Sequence, residues 1–167
     1  EHPAQGRTDV ARRAVIGGGS GTLGSALWRA LEAEGYEVAV IGRTGPDARW
    51  EDQASVNRLV DGAEVLIGLA GKSINSRFTS ANRDEILQSR LDTTRMLHAA
   101  VAAAHQPPEV WMNASSATVY RYAMDRPQTE DDTDYDTGFS PDVALAWEDE
   151  LFRGELPGTR RIALRIT

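Results

Sequence analysis

The sequence of 167 residues contains no cysteine, and among its 18 basic residues only Lys72 is a lysine. The absence of cysteine excludes disulfide frameworks, thiolate zinc sites and cysteine nucleophiles, and it fits a reducing compartment such as the cytoplasm. The scarcity of lysine excludes any mechanism that needs a lysine elsewhere in the chain. No apolar run approaches the length of a membrane-spanning helix, so we expect a soluble cytoplasmic protein without membrane partners.

The charge distribution argues against nucleic-acid binding. The formal net charge is −7, and the basic residues are scattered along the chain instead of forming one basic patch. His98 and His105 lack a second histidine, cysteine or carboxylate at metal-binding spacing. The sequence therefore predicts neither a nucleic-acid partner nor a metal site, and the expected partner is a small-molecule substrate.

Length and composition indicate one domain with a substantial core. Residues 1–11 start without methionine and without an apolar signal segment, so they are predicted to form a linker or a cut N-terminal end. Residues 12–167 are assigned to the domain itself. The last apolar run, Arg161–Ile166, has the pattern of a buried strand with no helix after it, which predicts that a C-terminal substrate-binding part is missing or reduced.

A glycine-rich turn follows the first apolar run of the chain. Residues 14–24 have the sequence AVIGGGSGTLG, in which Gly18, Gly21 and Gly24 are spaced three apart. Apolar residues at helical spacing follow up to Gly35, and Tyr36–Ile41 then has the pattern of a second strand, which completes a βαβ unit. Backbone N–H groups at such a turn bind pyrophosphate, so we expect a dinucleotide ligand; a turn that only serves the fold is the alternative.

The remaining pattern predicts further strands and helices in alternation. Small or hydroxylated residues follow two of the strands, at Ala70-Gly71 and at Ser115-Ser116, so we expect both groups at the C-terminal edge of one parallel sheet, beside the glycine turn. Residues 121–142 form a polar, acidic stretch that is predicted to be a solvated loop. The predicted elements are strands at Glu64–Leu69 and Val110–Asn113 and helices at Ala54–Val60, Thr79–Ala104 and Val143–Phe152.

From about Arg13 to Thr167 the chain resembles an extended short-chain dehydrogenase/reductase of the NAD-dependent epimerase/dehydratase type. The resemblance rests on Leu-Ala-Gly at 69–71, Gln-Ser-Arg at 88–90 and Trp-Glu at 147–148, and it is strongest to the nucleoside-diphosphate-sugar epimerase branch. It implies an α/β fold with a Rossmann-like, doubly wound parallel sheet and a cofactor laid across its C-terminal edge. The implied cofactor-binding residues are Gly18, Gly21, Thr22, Leu23, Gly24, Arg43, Leu69, Ala70, Gly71, Arg90 and Ser115.

The end of the second predicted strand indicates which cofactor is bound. An acidic residue there would bond the ribose hydroxyls of NAD, whereas an arginine pairs with the additional phosphate of NADP. The chain has Arg43 at this position, so we expect NADP rather than NAD. The alternative is that Arg43 only faces solvent.

Two other positively charged residues also have two interpretations. Arg90 either reaches a cofactor phosphate or a substrate anion, or it is a helix-surface arginine that pairs with Glu85 or Asp92. Lys72 either binds a substrate phosphate or faces water. Extended relatives pair through two long helices, here about 79–104 and 142–153, so a homodimer is one expected assembly, with Trp147 in the core or at the interface.

The resemblance also implies a catalytic serine, tyrosine and lysine, and the chain has only the first. Ser116 matches the serine, but the tyrosine should lie near Phe139–Pro141 with a lysine four residues later, and neither is present. Tyr120 is the preferred substitute and Tyr135 the weaker one. The chain is therefore expected to be an NADP-dependent epimerase or oxidoreductase with an atypical site, or a non-catalytic NADP-binding regulatory module; a flavin- or nucleoside-binding domain is a third possibility.

Overall fold

The computed structural model describes residues 11–71 and 79–167, so the predictions for Lys72 and for residues 1–10 lie outside the described residues. Six parallel strands form one sheet in the order β3-β2-β1-β4-β5-β6. This order reverses direction between β1 and β4, which opens a crevice at the C-terminal ends of these two strands. The strands are β1 Arg13–Gly17, β2 Glu37–Gly42, β3 Ala48–Arg49, β4 Val65–Gly68, β5 Val110–Ser116 and β6 Arg160–Ile166.

Four helices connect these strands, and two of them begin at side-chain caps. The Asp52 carboxylate accepts from the Ser55 N–H, and the Thr79 hydroxyl accepts from the Asn82 N–H. Each cap satisfies a backbone donor that the first helical turn leaves unpaired. The helices are α1 Thr22–Ala33, α2 Gln53–Val60, α3 Ser80–Ala103 and α4 Phe139–Leu151.

The helices cover the two faces of the sheet unequally. Leu27 and Leu31 of α1 pack on one face, against the side chains of Ala14, Val65 and Ile67. The larger core lies on the other face, where α2, α3 and α4 cover β-strand residues such as the fully buried Trp111. The predicted Rossmann-like, doubly wound parallel sheet is thereby confirmed.

Three details differ from the sequence prediction. The two-residue strand β3 was not predicted, β5 runs on to Ser116 instead of ending at Asn113, and α4 begins at Phe139 instead of Val143. A turn of 3-10 helix, Ala117–Val119, follows β5 directly. These differences place Ser116 at the very end of a strand and bring the first turn of α4 into the region of the predicted site.

Trp147 of α4 belongs to the core of the chain. Its side chain is buried, and its indole N–H donates to the Thr94 hydroxyl of α3 over 2.9 Å. Thr94 is itself buried, and its hydroxyl donates a hydrogen bond to the Arg90 carbonyl oxygen at 2.7 Å. The hydrogen-bonded pair fixes α4 against α3, and the two helices together form one wall of the site described below.

No helix within residues 11–71 and 79–167 is long and apolar enough to cross a membrane.

Replacing Thr94 by valine tests this contact. The change keeps the side-chain shape but leaves the buried Trp147 N–H without its acceptor, so we expect a loss of about 1–3 kcal/mol in the free energy of unfolding. Thr93→Val is the matched control, because the Thr93 hydroxyl bonds only backbone carbonyls of its own helix. Urea unfolding of both variants measures the effect, and equal losses would contradict the role of the Thr94–Trp147 bond.

Candidate functional site

Two glycines of the phosphate-loop sequence are required by the fold itself. Gly18 has a φ of +86°, and a Cβ there would lie 2.7 Å from backbone atoms of Ala70 at the end of β4. A Cβ at Gly24 would lie 2.6 Å from the backbone of Gly19. Larger residues at either position would push the loop away from β4 or away from the first turn of α1.

Gly21 is different, because the described residues give no steric reason for it. A Cβ at Gly21 would meet no atom of residues 11–71 and 79–167 within 4 Å apart from its two chain neighbours. Gly21 is also the N-cap of α1, and it makes no side-chain cap. The first turn of α1 contains no acidic residue, so backbone N–H groups and the positive end of the helix dipole face an open cradle. A helix N-terminus of this kind favours an anion.

The predicted cofactor residue Arg43 lies at the rim of a second part of the crevice. A cavity of about 330 Å³ separates the glycine loop from the end of β2, and no acidic residue lines it. The nearby Asp47 carboxylate is occupied in accepting from the Val40 backbone N–H at 2.7 Å. Arg43 is exposed and is the one charged residue among those that line the cavity, which are Gly19, Ser20, Val40, Gly42, Arg43, Thr44 and Gly45.

Leu69, Ala70 and Gly71 continue from β4 along the crevice, as predicted from their position after a strand. The Leu69 N–H donates to the Gly17 carbonyl oxygen at 2.7 Å, which fixes the exit from β4 beside the glycine loop. Gly71 lies against the guanidinium of Arg90: a Cβ on Gly71 would approach the Arg90 Cζ to 2.9 Å. The residues that follow β4 thus contact the glycine loop at one end and α3 at the other.

Arg90 is half-buried on α3. Its Nη1 donates to the Ile86 carbonyl oxygen at 3.1 Å, and its Cζ lies 5.1 Å from the centre of the Trp147 ring. Burial lowers the pKa of Arg90 from its ordinary value. Of the two predicted pairing partners, Asp92 makes a 3.5 Å ion pair with Arg95. Pairing with Glu85, and contact with a cofactor phosphate or a substrate anion, stay predictions.

Ser116 and Arg90 share one cavity of about 210 Å³ between the end of β5 and helices α3 and α4. The Ser116 hydroxyl oxygen accepts from the N–H and the hydroxyl of Thr118, at 3.2 and 2.9 Å. Five of the ten described residues that line it are apolar, and none of the ten is acidic. The lining residues are Ile86, Arg90, Ser115, Ser116, Thr118, Phe139, Ser140, Val143, Ala144 and Trp147.

The positions implied for the tyrosine and the lysine do face this cavity. Phe139 and Ser140, from the range implied for the tyrosine, line it, as do Val143 and Ala144, each four residues after one of them. None of the described residues that line the cavity has a phenol or an ammonium group, and Lys72 lies outside the described residues. Tyr120 lines a neighbouring cavity of about 550 Å³ instead, so Ser116 and Tyr120 do not share one cavity wall.

Tyr120 and Ser115 belong to a hydrogen-bond network behind the cavity. The Ser115 hydroxyl donates to Glu148 at 2.6 Å, and Glu148 accepts from both Nε and Nη2 of Arg165 at 2.9 and 3.0 Å. Arg165 also donates to the phenol oxygens of Tyr120 at 2.8 Å and Tyr135 at 3.3 Å. The network links β5, α4, β6 and the acidic loop; Ser115 and Glu148 are buried, and Arg165 and the two tyrosines are partly buried.

Opposing effects act on the carboxyl of Glu148. Burial favours its neutral form, but the hydrogen bonds from Arg165 and Ser115 outweigh burial and hold its pKa below the ordinary value. The hydrogen bond to Glu148 raises the pKa of Arg165. Sequence reasoning used Glu148 only as part of the Trp-Glu pair and missed Arg165. The one feature of the sequence that could have indicated Arg165 is its position as a charged residue within the apolar run of β6.

Comparison with known families gives one match over most of the chain. The model of the NAD dependent epimerase/dehydratase family matches residues 14–141. This range contains the glycine loop, Arg43, Arg90 and Ser116.

Individual relatives agree with this family match. The chain is 34% identical to epimerase family protein SDR39U1 of Bos taurus over 160 residues, which cover 92% of the chain and 53% of that relative. The crystal structure of human SDR39U1 (isoform 2) with NADPH is similar at a TM-score of 0.82 and 31% identity, over 92% of this chain and 52% of that one.

A second solved structure is the nucleoside-diphosphate sugar epimerase from Corynebacterium glutamicum. It is similar at a TM-score of 0.75 and 28% identity, over 93% of this chain and 33% of that one. The chain spans about half the length of the curated relatives it matches.

Replacing Glu148 by glutamine tests the electrostatics of the network. The variant keeps the shape but removes the charge that pairs with Arg165, so we expect a loss of about 1–3 kcal/mol in unfolding free energy at neutral pH. The lowered pKa makes the wild-type advantage complete above the ordinary value near 4.5, and the advantage disappears as pH falls through the folded-state pKa. Urea unfolding from about pH 7 to pH 3 measures this difference.

The exposed neighbour Asp149 provides the control for this titration. Asp149→Asn removes a carboxylate one residue away without touching the network, so its unfolding free energy is expected to stay within about 0.5 kcal/mol of wild type throughout. A wild-type advantage over Glu148→Gln that persists unchanged at acid pH would show that the charge of Glu148 is not the source of its contribution.

Proposed function

The chain belongs to the NAD dependent epimerase/dehydratase family, and from this premise we propose that it binds NADP and supports hydride transfer at a carbon held beside Ser116. The observation that carries the proposal is the open cradle at Gly21, where a Cβ would meet no atom of residues 11–71 and 79–167 within 4 Å apart from its two chain neighbours. A dinucleotide laid there runs along the C-terminal edge of the sheet, across the point where the strand order reverses.

The glycine loop would hold the pyrophosphate by backbone contacts alone. Gly18 and Gly24 shape the loop, Gly21 leaves room for the phosphates, and the N–H groups of Thr22 and Leu23 belong to the first turn of α1. These donors need no side-chain charge, because the helix dipole already favours an anion at this end.

Arg43 supports NADP as the preferred cofactor. It is the charged residue at the rim of the cavity between the glycine loop and β2, where the ribose of the adenosine half would lie. Its guanidinium can pair with a 2′-phosphate, and no carboxylate lines that cavity to bond a free ribose diol. The NADPH bound to the human relative agrees with this choice.

The chemistry would take place in the cavity that Ser116 shares with Arg90. NADP, when bound, supplies the hydride acceptor or donor. The Ser116 hydroxyl accepts two bonds from Thr118, an arrangement that orients its own hydrogen for donation to a substrate oxygen. The apolar residues of α4 that line this cavity would exclude water from the reacting carbon. Leu69, Ala70 and Gly71 do not line it; they would contact the cofactor between the glycine loop and Arg90.

Proton transfer is the step for which the described residues offer the fewest candidate groups. Tyr120 is the proposed proton carrier, and its phenol oxygen accepts from Arg165 while its ring lines the neighbouring cavity. A water between the two cavities would have to connect this phenol to a substrate oxygen beside Ser116. The Ser115 hydroxyl already donates to Glu148, so it would hold the end of β5 in place and would not contact the cofactor directly.

A second candidate function is a non-catalytic module that binds NADP and responds to its redox state. The observation that favours it is the lining of the cavity beside Ser116, where the range implied for the tyrosine contributes Phe139 and Ser140, and Val143 and Ala144 follow four residues later. Without a phenol and an ammonium group at these positions, proton transfer to a sugar oxygen is slow.

Titration with NADPH and NADH, followed by reduced-nicotinamide fluorescence, tests cofactor binding. We expect wild type to bind NADPH more tightly, and Arg43→Ala to weaken NADPH about tenfold while changing NADH about twofold or less, because the lost guanidinium contacts only the additional phosphate. Arg29→Ala, which removes an exposed arginine of α1, is the matched control and should change neither affinity. Absence of binding by both nucleotides overturns the proposal.

Gly21→Ala provides an independent arm of the same titration. A methyl group at Gly21 meets no atom of the described residues apart from its chain neighbours, so the free energy of unfolding should fall by no more than about 1 kcal/mol, the cost of alanine at an N-cap. The group would nevertheless intrude on the phosphates and weaken NADPH and NADH alike. Unchanged affinity for both nucleotides would show that the pyrophosphate does not lie in this cradle.

Turnover separates the enzyme from the module. We expect wild type with NADP to oxidise or epimerise at least one member of a panel of UDP-, GDP- and dTDP-sugars, because one relative of solved structure is a nucleoside-diphosphate sugar epimerase. Ser116→Ala should lower that rate about a hundredfold without weakening NADPH binding. Absorbance of reduced nicotinamide and chromatography of the sugars measure both reactions, and tight NADPH binding without any product would favour the module.

A further inference from the structure

We infer that Asp47 is a positioning residue for the choice of cofactor: it holds the turn after β2 in the shape that presents Arg43 to the adenosine end of the crevice. The inference rests on the proposed function, because it concerns the discrimination between NADP and NAD at the same site. In NAD-binding proteins of this fold, an acidic residue near the end of the second strand bonds the ribose hydroxyls. The contacts of Asp47 give it a different role.

Asp47 is bonded twice to one residue of β2. Its Oδ2 accepts from the Val40 backbone N–H at 2.7 Å, and its own backbone N–H donates to the Val40 carbonyl oxygen at 3.2 Å. β3 pairs only with Ile41 and Gly42, so Val40 lies on the part of β2 that β3 does not reach. Asp47 thus takes the place of a neighbouring strand at Val40 and closes the turn of residues 43–46.

The closed turn folds back onto the end of β2. A Cβ on Gly42 would lie 2.5 Å from the Gly45 carbonyl oxygen, so the absence of a side chain at Gly42 permits this close approach. On the other side of the cavity, the Gly18 N–H donates to the Ile41 carbonyl oxygen at 2.8 Å and joins the glycine loop to the same strand. The cavity of about 330 Å³ therefore lies between two segments that are each bonded to β2.

The described residues that line this cavity offer hydrogen-bond donors and no carboxylate. Arg43 provides a guanidinium, Ser20 and Thr44 provide hydroxyl groups, and Asp47 is not among the lining residues. A guanidinium and two hydroxyl groups can all donate to the oxygens of one phosphate. The arrangement that Asp47 maintains therefore suits the 2′-phosphate of NADP better than a free ribose diol.

The hydrogen bond from Val40 links Asp47 to the affinity for that phosphate. Without the Asp47 carboxylate, the Val40 N–H loses its acceptor, and the turn that carries Arg43 is no longer closed by a side chain. The turn would then have to be ordered when the cofactor binds, and this ordering cost lowers the affinity. NADH has no phosphate at this position, so its affinity depends much less on the turn.

Titration with NADPH and NADH, followed by reduced-nicotinamide fluorescence, tests the inference. We expect Asp47→Ala to weaken NADPH about tenfold and NADH about twofold or less, because only the phosphate contact depends on the turn. Asp47→Asn should keep NADPH within about twofold of wild type, since an amide oxygen can still accept from the Val40 N–H. Glu51→Ala, which removes an exposed carboxylate a few residues later, is the matched control and should change neither affinity.

Three results would overturn the inference. Unchanged NADPH affinity in Asp47→Ala would show that the turn does not need this side chain, and equal weakening of both nucleotides would show a general loss of structure. Weakening of NADH by Asp47→Asn, with NADPH unaffected, would assign Asp47 to the ribose hydroxyls of the cofactor. This last comparison decides the question even if Asp47→Ala does not fold.

Adenosine 2′,5′-bisphosphate and AMP extend the test to the adenosine half of the cofactor alone. In calorimetric titration, wild type should bind the bisphosphate at least about tenfold more tightly than AMP, and Asp47→Ala should reduce this preference while Asp47→Asn keeps it. Absence of NADPH binding by wild type would overturn the proposed function and this inference with it. NADPH binding with the same preference over NADH in wild type and Asp47→Ala would overturn this inference alone.

Discussion

The close approach of Gly18 to the end of β4 is the constraint on which the rest of the site depends. With a φ of +86° and a Cβ position only 2.7 Å from the Ala70 backbone, this residue has to be glycine if the loop after β1 is to lie against the neighbouring strand. The approach brings the first turn of α1 to the crevice where the strand order reverses. Every proposed cofactor contact follows from that placement, because the helix dipole and the Gly21 cradle then point along the same edge of the sheet.

The packing of α4 on α3 has a comparable effect at the other end of the crevice. The bond between Trp147 and Thr94 holds the two helices together, and the same indole ring forms the surface on which Arg90 lies. One aromatic side chain thus serves the core and the candidate site at once. Because its polar N–H is satisfied inside the core, its ring remains available as an apolar wall and as a partner for the guanidinium.

The sequence predicted the strands, the glycine loop and the positions of Ser116 and Arg43, since each depends on local pattern: an apolar run, a glycine spacing, or the residue after a strand. It placed the start of α4 four residues late, because apolar periodicity begins only at Val143 while Pro141 in the first turn carries no helical signal of its own. It missed Arg165 altogether. That side chain reaches Glu148 only through the register that pairs Ser115 with Arg165 across two strands, which no local pattern reveals.

The two arginines near the site are held by different contacts. Arg165 is paired with Glu148 through two hydrogen bonds and also bonds two phenols, so its charge is used in holding β5, β6 and the acidic loop together. Arg90 donates to the Ile86 carbonyl oxygen of its own helix and lies on the Trp147 ring, so it belongs to the contact between α3 and α4. A cation paired inside a hydrogen-bond network stabilises the elements that it joins. The Arg165–Glu148 pair therefore fixes the end of β5, and with it the position of Ser116, from behind the candidate site.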